Sequence, residues 1–400
     1  MMGLLYLTHR IPYPPNKGDK IRSFHWLKHL ADRRPLYLGT FVDDPDDWRH
    51  ETAVRKYCAE ACLRPRHSFR TPLAAVRGLA GGQPLTLACY RDRVLGRWAA
   101  ELVATGRIDT VLVFSSAMAQ FVDPAWSVRK VIDFVDVDSD KWRQYAGRKP
   151  FWSAWIYRRE AERLLAYDRR IAAAFDRSLF VSEAEADLFR RLAPEAADRV
   201  DWIENGVDTD YFRGGREFAN PYHPGEAALV FTGAMDYWAN VDAVRWFADR
   251  VFPRILRHHV EARFYIVGAR PAESVRLLGR REGIVVTGAV ADVRPYLAHA
   301  RLAVAPLRIA RGIQNKVLEA LAMAKPVLAT TMALDGLALE PGLAIARADD
   351  AEVMAEIALQ ALDDRDFLPC HAPRNRRFVE ARYSWRERFE RLDRVLGIDS

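Results

Sequence analysis

A glycine, a lysine and a glutamate stand close together in the segment GIQNKVLEALAMAKPVLAT, residues 312–330. Gly312 has no Cβ, so a ligand can approach the backbone there, and the free N–H groups of a following helix favour an anion. Lys316 can neutralise phosphate oxygens, whereas an ionised Glu319 accepts hydrogen bonds from two neighbouring hydroxyls of a ribose. Asn315 lies four residues before Glu319, so all three side chains can border one helical face. The spacing therefore suits a sugar nucleotide.

The same segment has a simpler interpretation as an ordinary surface helix. An isolated Lys-x-x-Glu pair commonly forms an exposed ion pair that contributes roughly 0.3 kcal/mol. The surrounding sequence, RLAVAPLRIARGIQNKVLEALAMAKPVLAT, favours a ligand, because it is typical of a strand, a basic loop, a helix and another strand. Arg308 and Arg311 in that loop place guanidinium groups, which suit phosphates, beside the predicted start of the helix.

Strands that end in small or polar residues alternate with amphipathic helical patterns along both halves of the chain. The strand patterns are LLYLTH, PLYLGTF, TVLVFSS, KVIDFVDV, RSLFVS and RVDWIENGV, followed by AALVFTG, ARFYIVG, GIVVTGA, RLAVAP, KPVLAT and GLAIA. Such alternation predicts two α/β domains, each a doubly wound parallel sheet covered by helices on both faces. Because ligands bind beyond the carboxyl ends of such strands, we expect the two domains to face a central cleft.

The 400 residues exceed the size of one ordinary domain, and the sequence predicts where the chain divides. The first domain is predicted over residues 1–208 and the second over residues 227–375. Residues 209–226 lack a helical or strand period and are interpreted as the linker between them. Residues 376–400 include the amphipathic pattern SWRERFERLDRVLGI, a helix that we expect to pack back on the first domain.

The segment THRIPYPPNKGDKIRS follows the first predicted strand and is rich in groups that could bind a ligand. His9 ends the strand, and Gly18, Asp19, Lys20 and Arg22 precede an amphipathic helix. A glycine-aspartate pair often marks only a plain turn, and a histidine at a strand end is often packed or solvated. The functional alternative is a loop that approaches a ligand at the edge of the sheet.

Three aspartates, Asp136, Asp138 and Asp140, alternate in the run DFVDVDSDKW, so an extended chain would point them to one side. Such spacing could chelate a divalent metal. Lys141, however, occupies the position where an EF-hand loop needs glycine, and no glutamate closes the loop. We therefore expect no metal and interpret Asp136 and Asp138 as hydrogen-bonding groups at the cleft edge or contacts to an acceptor.

Composition places the chain among soluble globular proteins, with 50% hydrophobic and 28% charged residues. The net charge is +7, but the arginines alternate with acids along predicted helices, so we expect no nucleic-acid partner. Attraction to phosphates or to an anionic membrane surface stays open. The four cysteines show neither zinc-site spacing nor the density of a disulfide scaffold, which favours a reducing cytoplasm. We expect no signal peptide and no transmembrane helix, so that any membrane contact would be peripheral.

Several enzyme classes lack their motifs in this chain. The sequence contains no Walker lysine loop, no dinucleotide glycine fingerprint and no helix with paired metal-ligand histidines. Ser115 and Ser116 end a predicted strand without the glycine elbow of a hydrolase nucleophile. Kinase, dehydrogenase and protease functions are therefore not expected.

Taken together, the motifs resemble those of retaining glycosyltransferases of the GT-B fold, in the family 4 group of sucrose-synthase-like and mannosyltransferase-like enzymes. The matching pieces are KGDKIRS, FVSEAEA, ENGVD, FTGAMDYWANVDAV, VTGAVADVRPYLAHARLAVAPLR and NKVLEALAMAKPV. DFVDVDSDKWRQYA is similar to a narrower group, the exopolysaccharide sugar transferases that accompany exosortase and PEP-CTERM sorting systems.

The resemblance implies a nucleotide sugar held mainly by the second domain and an acceptor offered by the first. Glu319 matches the family glutamate that holds the donor ribose. Gly312, Arg308 and Lys316 would be catalytic, since they would stabilise the charge that grows on the leaving diphosphate during front-side substitution. The other donor contacts implied are Gly18, Asp19, Gly233, Asn240, Val290, Arg311, Ile313, Gln314 and Asn315, and the acceptor side would comprise His9, Lys20, Arg22, Asp136 and Asp138.

Two departures from the family pattern concern charge. Arg311 stands where the family usually has a second glutamate near the transferred sugar. Ala234 and Ala239 stand in the stretch that commonly supplies an arginine and a lysine to the diphosphate. Our hypothesis is that Arg308, Arg311 and Lys316 supply the missing positive charge.

The resemblance implies no cofactor apart from the nucleoside diphosphate sugar as co-substrate, and a glycan or polyprenyl-linked acceptor at the inner face of the membrane. The pattern KPFWSAWIYRREAERL could rest at a lipid interface or cover the core of the first domain. Two alternatives to a transferase stay open. One is a sugar-nucleotide epimerase or phosphorylase of the same fold, and the other is a non-catalytic nucleotide- or glycan-binding scaffold, which Arg311 favours.

Overall fold

The computed structural model describes residues 2–15, 18–66, 82–147, 151–214, 217–310, 312–364, 367–368 and 372–398, without the side chains of 151–153 and 372–373. The chain divides into two compact units. The first unit contains residues 1–204 and 388–400, and the second contains residues 205–387.

The first unit is built on a seven-stranded parallel sheet. Its strands are β1 Gly3–Thr8, β2 Leu36–Val42, β3 Glu60–Pro65, β4 Ile108–Phe114, β5 Arg129–Val135, β6 Arg177–Phe180 and β7 Val200–Trp202, in the order β3-β2-β1-β4-β5-β6-β7. Its helices are α1 Gly18–Ala31, α2 Glu51–Arg55, α3 Leu85–Ala88, α4 Arg93–Ala104, α5 Asp138–Gly147, α6 Phe151–Ala174 and α7 Glu183–Leu192.

The second unit repeats this architecture with a six-stranded parallel sheet. Its strands are β8 Ala227–Thr232, β9 Ala262–Val267, β10 Ile284–Gly288, β11 Leu302–Ala305, β12 Val327–Ala329 and β13 Ile345–Arg347, in the order β10-β9-β8-β11-β12-β13. Its helices are α8 Trp238–Trp246, α9 Phe252–His258, α10 Glu273–Arg276, α11 Arg294–His299, α12 Asn315–Ala322, α13 Thr331–Leu334, α14 Ala351–Asp363 and α15 Ala372–Tyr383. The last helix, α16 Trp385–Leu396, begins in the second unit and belongs to the first unit from Arg388 onward.

The central strands are apolar runs because both faces of each sheet are covered. Every residue of β1 is buried, and all but the first residue of β8 are buried as well. The predicted doubly wound α/β fold of both halves is therefore confirmed, with one strand more than the sequence indicated. That strand, β3, lies at the edge of its sheet, and its mixed burial explains why an apolar run does not mark it.

The last residues of the chain, from Arg388 onward, pack on the first unit. The ring of Phe389 stacks on His29 at 4.2 Å between centroids, and His29 lies 2.8 Å from a carboxylate oxygen of Asp393. Arg129 at the start of β5 donates two hydrogen bonds to the carbonyl oxygen of Val395. Residues of α16 that follow Arg388 thus complete the first unit.

Each sheet has one point where the strand order reverses direction. In the first sheet this point lies between β1 and β4, and in the second it lies between β8 and β11. Loops that leave the carboxyl ends of two such strands diverge and leave room for a ligand. Among the helices that the structure describes, none combines the length and the apolar character needed to cross a membrane.

Candidate functional site

Helix α12 starts at the reversal point of the second sheet, after the loop that leaves β11. Gly312 in that loop has φ +61°, in the left-handed region that favours glycine, and a Cβ there would meet no atom within 4 Å. Val317, Leu318 and Leu321 are buried in the core of the unit. The remaining face of the helix presents Asn315, Lys316 and Glu319, all only partly buried.

Lys316 is anchored to the loop and helix that follow β8. Its Nζ donates to Oδ1 of Asn240 at 3.2 Å and lies 5.3 Å from the ring centroid of Phe231. The Nδ2 of Asn240 donates to the carbonyl oxygen of Ala234 at 2.9 Å. Because the amide nitrogen is used in this way, its oxygen must face the lysine. The two loops of the reversal point are thus joined through Asn240 and Lys316.

Close packing around this contact depends on two glycines that directly follow β8 and β9. A Cβ on Gly233 would lie 2.8 Å from Nδ2 of Asn240 and 3.6 Å from Cε of Lys316. A Cβ on Gly268 would lie 1.7 Å from the carbonyl oxygen of Gly233, which no side chain could tolerate. Gly233 is among the predicted site residues. Gly268 was missed, although it ends the strand pattern ARFYIVG just as Gly233 ends AALVFTG.

The electrostatics of Lys316 and Glu319 are unusual for two helix residues three positions apart. Burial lowers the pKa of Lys316 to about 8, against the opposing effect of Glu319. Burial also raises the pKa of Glu319 to about 7, against the opposing effect of Lys316. Among the described residues, the Glu319 carboxylate has no hydrogen-bond or ion-pair partner. The simple alternative, an exposed ion pair between these two residues, is therefore not what the structure contains.

A second unsatisfied acceptor lies on the first turn of α12. The Oδ1 atom of Asn315 is buried and has no hydrogen-bond partner, which is rare for buried polar atoms. Gln314 precedes the helix and donates from Nε2 to the carbonyl oxygen of Gly312 at 3.0 Å. Ile313 and Val290, which follows β10, are partly buried against the apolar core of the second unit. The structure thus brings Gly233 and Asn240 to Lys316 on the first turn of α12. Ile313 and Val290 instead contribute to the apolar core.

Arg308 has a carboxylate partner that the sequence interpretation did not anticipate. Its guanidinium forms a two-point contact with Asp242 on α8, with Nε 3.0 Å from Oδ2 and a second, shorter contact from Nη2 to Oδ1. About half of the arginine side chain stays exposed. Its charge is therefore already compensated, and a phosphate would have to share or displace Asp242. Arg311, the third predicted cation, lies outside the described residues.

In the first unit, two predicted acceptor contacts are corrected by their burial. Arg22 is fully buried and donates to Asp133, also fully buried, at 2.7 Å and to the carbonyl oxygen of Ile203 at 2.6 Å. Lys20 is 3% exposed and donates to Asp47 at 2.6 Å. Both cations neutralise interior carboxylates, so neither faces an acceptor in this structure.

His9, Gly18 and Asp19 lie at the reversal point of the first sheet. The ring of His9 stacks on Phe114, the last residue of β4, at 5.8 Å between centroids. Asp19 accepts from Arg10 at 2.6 Å and lies 3.4 Å from Nε2 of His9. Burial alone would raise the pKa of Asp19, but His9 and Arg10 lower it below its usual range. Gly18 begins α1, with open space where a Cβ would be.

The aspartate run after β5 does not stay extended, which corrects the expectation of three carboxylates on one side. Asp138 begins α5, so Asp140 lies within the helix, where it accepts from Gln144 at 2.6 Å. Asp136 and Asp138 are both held by Lys141, at 2.7 and 3.0 Å. Burial alone would lower the pKa of Lys141, but these two carboxylates raise it. Within the described ranges, no three His, Cys, Asp or Glu side chains are arranged to hold a metal ion.

The sequence of the second unit matches a known protein family. Residues 226–364, which lie in the second unit and include the start of α12, match the family model for glycosyl transferases group 1. No curated protein matches the sequence of the chain.

Three solved structures are similar to this one over nearly the whole chain. HepE from Anabaena, crystallised with UDP and glucose, has a TM-score of 0.65 at 14% identity and covers 99% of this chain and 100% of its own. WaaG, a glycosyltransferase involved in lipopolysaccharide biosynthesis, has a TM-score of 0.67 at 17% identity, with 98% and 100% coverage. Sucrose-phosphate synthase from Thermosynechococcus elongatus has a TM-score of 0.68 at 14% identity, with 99% and 98% coverage. At these identities the likeness shows the fold, so the predicted GT-B architecture is confirmed.

Proposed function

We propose that the protein is a glycosyltransferase that moves a sugar from a nucleoside diphosphate donor to a glycan acceptor with retention of anomeric configuration. The donor site is the start of α12 in the second unit. Glu319 holds the ribose, and Lys316 and the backbone at Gly312 hold the diphosphate. The group 1 family match over residues 226–364 supports this assignment, because it spans the whole of that site.

The observation that carries the proposal is the state of Lys316 and Glu319. Both are desolvated enough that the pKa of Lys316 falls to about 8 and that of Glu319 rises to about 7. Among the described residues, Glu319 has no hydrogen-bond partner and Lys316 has only the neutral Asn240 amide. Ionisable groups whose burial is only partly compensated are typical of binding and catalytic sites. A phosphate beside Lys316 and two hydroxyls on Glu319 would supply what is missing.

The chemistry that this site supports is stabilisation of a departing diphosphate. Negative charge grows on the leaving phosphate during transfer, and donors fixed beforehand at that place lower the barrier. The N–H groups at the start of α12 and the ammonium of Lys316 are fixed in this way, the latter by Asn240. Arg308 would add its charge where the phosphate competes with Asp242 for the guanidinium. The transfer needs no protein nucleophile and no metal.

The acceptor and the biological setting follow from the resemblance of DFVDVDSDKWRQYA to exopolysaccharide transferases. We propose a polyprenyl-linked glycan as acceptor, at the cytoplasmic face of the membrane, with the first unit on the acceptor side through His9, Asp136 and Asp138. Trp155 on α6, of which about half is exposed, is available for a peripheral lipid contact. The net charge of +7 would favour an anionic membrane surface.

The test of the donor site is a thermal-shift screen of nucleoside diphosphates. A ligand that binds only the folded protein stabilises it by mass action and so raises the unfolding temperature. At a ligand concentration of 100 times Kd, the free energy of unfolding increases by about 2.7 kcal/mol. Glu319→Ala should lose most of that gain. The matched control is Glu356→Ala, an exposed glutamate on α14 of the same unit, which should keep it. A wild-type protein that responds to no nucleotide would refute the proposal.

One observation favours a second candidate, a non-catalytic nucleotide-binding scaffold. Arg311 replaces an acidic residue that the resembling family usually has near the transferred sugar. Release of sugar from a bound nucleotide sugar, measured with and without a polyprenyl-linked acceptor, separates the two functions. Binding that depends on Glu319 without any sugar release or transfer would favour the scaffold.

A further inference from the structure

An aromatic side chain stands near Glu319 without a role in the site described above. Tyr211 lies in the turn that follows β7, and 39% of it is exposed. Burial raises the pKa of its phenol, and the carboxylates of Asp292 and Glu319 add to that rise, so both lie within electrostatic range of the hydroxyl. Tyr211 is thus an exposed aromatic residue within electrostatic range of the carboxylate that would hold a ribose.

The backbone of Tyr211 is held from both sides. Asp208 accepts from the N–H of Tyr211 at 2.8 Å, as in a helix cap, and Arg376 donates to the carbonyl oxygens of Thr209 and Phe212, at 2.9 and 3.3 Å. Arg294 donates to the carbonyl oxygen of Tyr211 itself at 3.3 Å. A turn fixed by so many charged donors presents its side chain in one place.

The ring is fixed as firmly as the backbone. The guanidinium of Arg294 lies 3.9 Å from the ring centroid of Tyr211 and so covers one face of that ring. The same guanidinium lies 5.3 Å from the ring centroid of Phe218. The phenol donates to Oδ1 of Asp292 at 3.2 Å. The ring of Phe212 meets that of Tyr211 at right angles, 5.0 Å between centroids, and 39% of Tyr211 still stays exposed. This is an aromatic surface held ready for a flat partner.

The neighbouring carboxylate has no capacity left for a ligand. Both oxygens of Asp292 accept from Arg294, at 2.7 to 3.0 Å, and Oδ1 also accepts from the phenol of Tyr211. A guanine would require such an acceptor for its N–H groups. Contact at this place therefore depends on stacking, which every base can provide.

We propose that Tyr211 is the stacking platform for the nucleobase of the donor. The inference rests on the proposed function, in which Glu319 holds the 2′ and 3′ hydroxyls of the ribose. The base is attached to C1′, the neighbour of C2′, so an aromatic group beside Glu319 is within its reach. Arg294 and Asp292 are positioning residues, which hold the ring without contacting the base.

The experiment is calorimetric titration of wild type, Tyr211→Ala and Tyr211→Phe with UDP, ADP, GDP and inorganic pyrophosphate. We expect Tyr211→Ala to weaken all three nucleotides by a similar factor, on the order of tenfold. Tyr211→Phe should bind them as wild type does, because the ring is kept and only the hydroxyl bond to Asp292 is lost. Pyrophosphate carries no base, so its affinity should be the same for all three proteins.

Each departure from this pattern has one meaning. Nucleotide binding that depends on Glu319 but is unchanged in Tyr211→Ala would overturn the stacking inference and leave the proposed function intact. A loss in Tyr211→Ala that extends equally to pyrophosphate would show a structural role for the tyrosine and also overturn it. Absence of nucleotide binding by the wild type would overturn the proposed function and the inference together.

Discussion

The affinity of the donor site should depend on pH in a way set by Lys316 and Glu319. The bound nucleotide requires Glu319 ionised, to accept from the ribose, and Lys316 protonated, to pair with phosphate. Without ligand the pKa of Glu319 is about 7 and that of Lys316 is about 8. Affinity should therefore rise as pH increases through 7 and fall as pH increases through 8.

The size of the effect follows from these two values. If the two groups titrate independently, roughly 60% of the free protein has both groups in the required state at pH 7.5. At pH 6 or pH 9 this fraction is only about 10%. The dissociation constant should thus be about sixfold larger at pH 6 and at pH 9 than at pH 7.5. The assay is calorimetric titration with a nucleoside diphosphate at constant ionic strength between pH 5.5 and 9.5.

Two variants separate the limbs of this profile. Lys316→Arg carries a guanidinium that stays protonated throughout the range, so the alkaline limb should disappear. Glu319→Gln cannot titrate, so any acid limb that it keeps belongs to the phosphate of the ligand and is subtracted. A flat wild-type profile, or an alkaline limb that persists in Lys316→Arg, would refute the assignment of these groups to the site.

Three further predictions concern stability. The pKa of Glu319 is 4.5 in the unfolded chain and about 7 in the folded protein, so between these pH values the folded protein binds more protons and its stability falls as pH rises. Glu319→Gln removes this loss and should raise the unfolding temperature of the unliganded protein above pH 7. Arg22→Met leaves the carboxylate of Asp133 buried without its cation, although Trp26 still donates to it, and should cost about 3–5 kcal/mol in urea unfolding. A cost no larger than that of an ordinary surface variant would contradict the buried pair. Gly268→Ala forces a Cβ against the carbonyl oxygen of Gly233 and should cost about 1–3 kcal/mol, measured by thermal unfolding, with wild-type stability as the contrary result.

Much of the fold could be predicted because burial leaves a local record in the sequence. A strand covered on both faces must be apolar throughout, so β1 and β8 stand out as apolar runs between polar ends. The edge strand β3 is not an apolar run, because buried residues alternate along it with partly exposed ones. Helix α12 was predictable for the same reason as the central strands, since its buried residues recur on one face and leave Lys316 and Glu319 on the other.

The contacts of the site were harder to predict because they join distant parts of the chain. Nothing local marks Asn240 as the partner of Lys316 or Asp242 as the partner of Arg308, and only the pairing of β8 with β11 brings them together. The aspartates after β5 were misjudged because alternation was taken as a strand signal in a stretch where α5 begins. Tyr211 was assigned to a linker by its composition, and its position beside the site depends on arginines far away in sequence.

The division of the chain has a consequence for the order in which the protein folds during synthesis. The second unit is one continuous stretch, residues 205–387, so it can complete its core once that stretch has left the ribosome. Most of the first unit is made earlier, but its core is completed only by the residues from Arg388 onward. The guanidinium of Arg388 donates to Glu204 at 2.9 Å. Until those residues arrive, apolar surface that Phe389 covers on Trp26 is open to water and to chaperones. The half of the molecule that emerges first is therefore the last to be finished.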